Sequence, residues 1–222
     1  MRRSSEAAGG FCDKAGLQWG DFVKRLFDLV LSIKLIFIFS LIFIIITVVI
    51  KLTSKGPVLF RQRRIGLDGR QFDILKFRTM YADTPSNVPT HMLEKPDIFI
   101  TPAGRLLRKT SLDELPQLFN ILKGDMSLVG PRPALYNQED LISLRERYGV
   151  HRMRPGLTGW AQVNGRDELA IPVKVEYDRY YVEHWSIWLD IKILFLTAAN
   201  VLRRRGVVEG RQEVRRGAGH KG

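Results

Sequence analysis

Long apolar runs separated by short polar, proline-rich joints organise this chain, and the longest run lies near its start. Residues 26–50 read LFDLVLSIKLIFIFSLIFIIITVVI and are interrupted only by Asp28, Ser32, Lys34, Ser40 and Thr47. Between Lys34 and Lys51 stand 16 uncharged residues, which make about 24 Å of helix against about 30 Å of bilayer core. Lys24 and Arg25 precede the run, and Lys51 and Lys55 follow it. The positive-inside tendency then puts both ends on one side of a membrane, as in a helix that enters and turns back. A single-span anchor with Lys34 snorkelling to the interface is the alternative. No small-residue cleavage site follows, so the run is not a removable leader.

A second run covers 185–205. Trp188, Ile191, Phe195, Ala198 and Leu202 recur at three and four residues, while Asp190, Thr197 and Arg204 recur at seven. This amphipathic helix carries interfacial Trp at one end and Arg203, Arg204 and Arg205 at the other, a cluster suited to anionic headgroups. A core helix of a soluble domain is the alternative reading.

Between the two runs, residues 58–65 and 71–77 predict two strands joined at Gly66-Leu-Asp-Gly69, whose Asp-Gly pair is a hairpin signal. Residues 82–97, rich in Pro, Ser, Thr and Asp, predict a loop. Thr101-Pro102 supplies a cap and first-turn proline for a helix over 102–109. Ser111 opens a second helix ending at Gly124, with Leu115, Leu118, Phe119 and Leu122 on one face. A short helix over 141–148 and a structured loop or short hairpin over 154–166 complete the pattern.

A length of 222 residues suits one catalytic unit with a core and appended elements. The net charge of +12 and pI near 10.1 call for anionic partners: nucleic acid, a membrane surface or phosphorylated small molecules. Cys12 is the only cysteine, which excludes an intrachain disulfide framework and a thiolate zinc site. His91, His151, His184 and His220 show no metal-ligand spacing.

The candidate chemistry centres on Ser111-Leu112-Asp113-Glu114, which fits a capping box: Ser111 caps, Glu114 reaches back, and both acids complement the helix dipole. The same placement suits a nucleophile, since a helix N-terminus keeps an aspartate ionised and attracts phosphate oxygens. A carboxylate becomes a covalent phosphate carrier when a divalent cation and positive side chains offset charge repulsion. Arg105 and Arg108 lie one turn apart just ahead of the pair, and Lys76 ends the second strand. Pro131-Arg132-Pro133 holds one guanidinium between two rigid residues, a planar fork suited to phosphate. Trp160 and the Asn164-Gly165-Arg166 turn carry groups for stacking on a base and contacting phosphate, or for ordinary packing.

These residues resemble the small monotopic phosphoglycosyl transferases, the bacterial sugar transferases that start polysaccharide and glycoprotein assembly. The likeness runs over about residues 21–207 through Lys24-Arg25-Leu-Phe-Asp28, Gly56-Pro57-Val-Leu-Phe60, Lys76-Phe-Arg-Thr-Met80, Leu112-Asp-Glu-Leu-Pro116, the motif from Asn120 to Ser127, Gly130-Pro-Arg-Pro133 and the stretch from Arg154 to Arg166. The resemblance implies an α+β fold with an N-terminal re-entrant membrane helix and a small cytosolic α/β catalytic domain, built with a short β-hairpin and amphipathic interfacial helices. It divides the chain into a tail over 1–20, a membrane-embedded helix over 21–55, the transferase domain over 56–207 and a basic flexible tail over 208–222.

The implied reaction has two steps. Asp113 attacks the β-phosphate of a UDP-sugar, releases UMP and holds a phosphosugar; polyprenol (undecaprenyl) phosphate then takes up the phosphosugar. Mg²⁺ is the implied cofactor, with Asp113 as its ligand and Glu114 as the second acid. Lys76, Arg108 and Arg132 match the family's basic site positions, and Arg154, Trp160, Asn164 and Arg166 make a possible nucleotide or substrate loop. The implied partners are UDP-sugar, polyprenol phosphate and an anionic phospholipid bilayer, with no nucleic acid. The implied location is the bacterial cytoplasmic membrane, with the catalytic domain facing the cytoplasm.

One departure bears on topology. The family's membrane helix carries a Ser-Pro pair that breaks it, and this chain has Ser40-Leu41. Re-entry then rests on Ser40, the short apolar run and the basic flanks. A rival of another class, a non-catalytic membrane-tethered basic adaptor for anionic lipid or nucleic acid, shares the charge and the apolar runs. It gives no reason for the acid pair or for Pro-Arg-Pro.

Overall fold

The computed structural model describes residues 10–81, 84, 98–165 and 169–202. Helices α1 (Gly10–Ile38) and α2 (Ser40–Thr53) come first. The predicted hairpin follows as β1 (Leu59–Ile65) and β2 (Gln71–Phe77), antiparallel, with Phe60 opposite Lys76. Its turn puts Asp68 and Gly69 in the left-handed region, at φ 53° and 73°, the conformation that the Asp-Gly signal anticipates. Next come α3 (Pro102–Thr110), α4 (Gln117–Lys123), β3 (Ser127–Val129) and α5 (Glu139–Arg147). Then follow β4 (Gly156–Thr158), α6 (Trp160–Val163), α7 (Ile171–Glu183) and α8 (Ile187–Leu202). The class is α+β, mostly helical with two small sheets. The loop over 82–97, apart from residue 84, and the tail over 208–222 lie outside the described residues.

The expected hairpin or loop over 154–166 takes another form. β4 pairs with β3 in parallel, Val129 opposite Thr158, across the intervening α5, and α6 follows directly. Helix α7 has no counterpart in the sequence pattern, because its buried positions Val175, Asp178 and Tyr181 include a carboxylate and disguise the apolar face.

No single described helix is long and apolar enough to cross a membrane, but residues 20–38 and α2 pass that test together and meet at a bend of 61°. The bend at Phe39 forms without proline. Its cause is docking at two separate places. Phe27, Leu31, Leu35 and Ile36 of α1 pack on the core of Leu118, Ile121, Leu128 and Ile193, whereas Ile46 and Ile50 of α2 join Phe77 and Leu107. A straight helix would give up one of these contacts. Leu41 lies in the first turn of α2, where a backbone N–H has no intrahelical partner, so Leu41→Pro is expected to leave the unfolding temperature in detergent unchanged within error. Ile44→Pro, at a similarly exposed site in the interior of α2, is expected to cost about 3 kcal/mol.

Helices α1 and α8 are amphipathic in an inverted sense. On α1 the buried residues are Lys24, Asp28 and Ser32, one turn apart, while Val23, Leu26, Val30, Ile33 and Phe37 are exposed. On α8 Trp188, Phe195 and Leu202 are 76%, 75% and 83% exposed, and Asp190 is fully buried. The second apolar run shares both readings: Asp190 and Ile193 dock, with Ile193 in the core, while the stripe of Trp188, Phe195 and Leu202 points outward. The polar contacts explain the inversion. Lys24 Nζ donates to Asp190 Oδ2 at 2.6 Å, Tyr181 Oη donates to Asp190 Oδ1 at 2.6 Å, and the Leu128 amide donates to Asp28 Oδ1 at 3.1 Å. A buried charge that is paired and hydrogen-bonded in this way is tolerated where an isolated one is not.

Candidate active site

The acid pair does not form the expected capping box. Ser111 adopts the left-handed conformation, φ 58° and ψ 16°, as the residue that ends α3, and its side chain caps nothing. Leu112–Glu114 make a tight 3₁₀ turn, and α4 begins only at Gln117. Pro116 is the physical reason. Without an N–H it cannot continue a helical ladder back to Leu112, and the Leu112 carbonyl instead accepts from the Leu115 amide at 3.3 Å. Asp113 therefore sits on a turn rather than at the N-terminus of a long helix, and Glu114 reaches across to other elements.

Lys76 Nζ donates to Glu114 Oε1 at 2.7 Å and Arg132 Nη2 donates to the same oxygen at 3.1 Å. This brings β2, the acid turn and the Pro-Arg-Pro loop to one point. Arg108, on the last turn of α3, donates through Nε to Thr79 Oγ1 at 2.8 Å and acts electrostatically on Asp113 together with Lys76 and Arg132. The structure thus gathers Lys76, Arg108, Asp113, Glu114 and Arg132, as the motifs implied. Arg105 is exposed.

The two carboxyls are driven apart. Burial pushes Asp113 up to about 6, with Glu114 adding to the rise and Lys76, Arg108 and Arg132 opposing it. Burial acts upward on Glu114 too, but there Lys76 and Arg132 prevail and hold the carboxyl well below the usual range. One acid is a permanent anion locked to two cations, and the other is nearly buried, at 8% exposure, with no ion pair of its own among those described. Paired titratable groups pushed in opposite directions mark a division of labour.

The side chains of the implied nucleotide loop make other contacts. Arg154 Nε donates to the Gly124 carbonyl at 3.1 Å, capping the far end of α4. Trp160 is stacked on Tyr180 with ring centroids 5.9 Å apart, and Lys192 Nζ lies 5.4 Å from its ring centre. Asn164 Nδ2 donates to the Trp160 carbonyl at 2.8 Å, and Arg166 lies outside the described residues. None of the three described residues contacts the acid pair among the described contacts.

Asn120, quoted above only as the start of a motif, is buried and accepts from the Leu75 amide at 2.9 Å while donating to the Asp73 carbonyl at 2.8 Å. It joins α4 to the strand that carries Lys76. Its signal was available, a polar residue at a helical position whose neighbours Leu118 and Ile121 face the core.

Magnesium usually binds one or two carboxylates together with substrate phosphates and water, not a cage made of protein alone. Among the described residues no group of three or more His, Cys, Asp and Glu side chains stands together. Of the two acids, Asp113 has no ion pair among those described, so the donor set fits an ion held jointly by Asp113 and a bound diphosphate.

Comparison with known proteins bears on the family of the chain. A family model described as bacterial sugar transferase matches residues 19–204. The Bacillus subtilis sugar transferase EpsL, described as uncharacterized, is 45% identical over 83% of this chain and 90% of its own length. A UDP-glucose:undecaprenyl-phosphate glucose-1-phosphate transferase of Klebsiella pneumoniae is 46% identical over 78% of this chain, but over only 39% of its own length. An undecaprenyl-phosphate galactose phosphotransferase of Salmonella typhimurium is 42% identical over 83% of this chain and 41% of its own length. The chain thus spans about two fifths of each of these two longer relatives.

Proposed function

The chain belongs to the bacterial sugar transferases, and from that premise we propose that it moves a sugar 1-phosphate from a UDP-sugar to polyprenol phosphate through a phosphosugar carried on Asp113. The observation that carries the reading is the split between the two acids: Glu114 is spent on Lys76 and Arg132, and Asp113 stands beside them uncommitted. The names of the Klebsiella and Salmonella relatives support the overall reaction.

In the first step an Asp113 oxygen attacks the β-phosphorus of the UDP-sugar. The bond from that phosphorus to the bridging oxygen breaks, and UMP leaves with the electron pair. In the second step an oxygen of polyprenol phosphate attacks the same phosphorus, the bond to Asp113 breaks, and a polyprenyl-diphosphate sugar departs. Lys76, Arg108 and Arg132 offset the negative charge that otherwise repels a carboxylate from a diphosphate. Glu114 orients two of these cations. Mg²⁺, when bound, would be held by Asp113 together with the diphosphate and would supply further charge neutralisation. A chelator is expected to stop turnover, and Mg²⁺ to restore it.

The outward apolar stripes support a membrane site, with α1, α2 and the stripe of Trp188, Phe195 and Leu202 against lipid. The bent pair supports re-entry with both ends in the cytoplasm. A membrane-impermeant thiol reagent is expected to leave Cys12 unlabelled in intact cells; ready labelling argues for a full span. Incubation with a panel of UDP-sugars and Mg²⁺ but no polyprenol phosphate is expected to release one equivalent of UMP and leave a phosphosugar on the protein. Turnover with no trapped adduct points instead to direct transfer, and no turnover with any sugar favours the adaptor.

A further inference from the structure

Pro131 and Pro133 leave the Arg132 loop short of backbone donors, so distant groups can hold it chiefly through its carbonyl oxygens. Each of four successive carbonyls has such a donor. The Gly156 amide donates to Pro131 at 2.9 Å, Arg145 Nη1 to Arg132 at 2.8 Å, Arg64 Nη1 to Pro133 at 3.0 Å and the Ile65 amide to Ala134 at 2.9 Å. Of the two side chains among these donors, Arg145 is the buried one, at 2% exposure. It extends from α5, and its Nε and Nη2 donate to Asp178 Oδ2 of α7 at 3.0 and 2.6 Å. Asp178 is 1% exposed.

If this ion pair served only to join α5 to α7, two of the guanidinium's nitrogens would suffice. The third is turned onto the backbone of the residue whose own side chain meets Glu114. We propose that Arg145, held by Asp178, is a positioning residue for the transfer reaction, acting through the Arg132 carbonyl to place the Arg132 guanidinium at the acid pair. The inference rests on the function proposed above. A guanidinium suits this task because its planar fork grips a carboxylate and a carbonyl at once without rotational freedom, which an ammonium does not.

The test replaces the pair together, Arg145→Met with Asp178→Leu, so that neither charge is left buried alone, a kind of exchange that cores tolerate. The folded state is checked by thermal unfolding. Relative to wild type, kcat/KM for UDP-sugar in the UMP-release assay is expected to fall roughly 10- to 100-fold, as for a displaced catalytic contact. In an Arg132→Ala background the same replacement is expected to cost less than about twofold, because the group it positions is already gone. Losses that multiply in full, or a folded replacement with wild-type kcat/KM, overturn the proposal. Should the replacement unfold the chain, Arg145→Lys read in both backgrounds decides by the same ratio. Wild-type turnover tests the functional reading by itself. Without turnover, the unfolding of Arg145→Met, Glu114→Gln and their double variant still reads the clamp: non-additive effects support it and additive ones overturn it.

Discussion

Asp113→Asn is expected to lower UMP release by roughly 10³-fold or more and to raise the unfolding temperature at the same time. The gain comes from removing a buried charge. Burial, with Glu114 adding to it, lifts the Asp113 carboxyl to about 6, against about 4 in an unfolded chain. The folded state therefore holds the proton more tightly, and its stability falls as pH rises from about 4 to 6. Above that window the cost is complete, on the order of 1–3 kcal/mol. The asparagine variant is thus expected to unfold several degrees higher than wild type at pH 7.5, with the difference vanishing near pH 4. Differential scanning calorimetry with chelator present measures it. Loss of activity without this gain would mean that Asp113 is not held at an energetic cost. In the wild type, kcat/KM is expected to drop about tenfold per pH unit below about pH 6, as the nucleophile takes up its proton.

Gly156→Ala carries the largest expected effect on folding. A Cβ at Gly156 would overlap the backbone nitrogen and oxygen of Gly130 and the carbonyl oxygen of Thr158, none of which is the mobile end of a side chain. Gly156 stands at the start of β4 opposite Ser127 of β3, and its amide also holds Pro131. The strands must separate, which is expected to cost at least ~3 kcal/mol and to lower the unfolding temperature by about 6–12 °C for a chain of this size. The displacement also releases the Arg132 loop, so residual turnover below the unfolding temperature is expected to be reduced. An alanine variant with wild-type stability would show that the strands approach less closely.

Local chemistry made much of this legible. The Asp-Gly turn, the Thr101 cap with its following proline and the glycine that ends α4 are signals contained within a few residues, and all three form as read; the Gly104 amide donates to Thr101 Oγ1 at 2.9 Å. Phe119 was less well placed: Leu118 and Ile121 face the core, and Phe119 is partly exposed, edge-on to Phe43 of α2. The capping box failed for a reason also present in the sequence, Pro116, whose missing N–H outweighs the Ser-x-x-Glu spacing.

The site divides the same way. Ordered motifs were enough to nominate Lys76, Arg108, Asp113, Glu114 and Arg132, because each lies in a short segment of distinctive chemistry. They could not show that Glu114 is consumed by two cations, that Arg154 meets the Gly124 carbonyl and Trp160 stacks on Tyr180, or that Arg145 and Asp178 brace the loop. Those facts depend on residues far apart in the chain, such as Arg145 and Asp178, which are separated by 33 positions.

By itself, the sequence determined the acids and cations on offer, the elements that close within a few residues and the presence of two outsized apolar runs. Only the tertiary structure decided which faces of those runs turn outward and why the first run bends without a proline. Hydrophobic periodicity reports that a helix has two faces, but which one is buried follows from the partners that meet it. Here Asp190 and Asp28 find Lys24, Tyr181 and the Leu128 amide across the fold, and one apolar stripe of each helix is left to the outside while another joins the core.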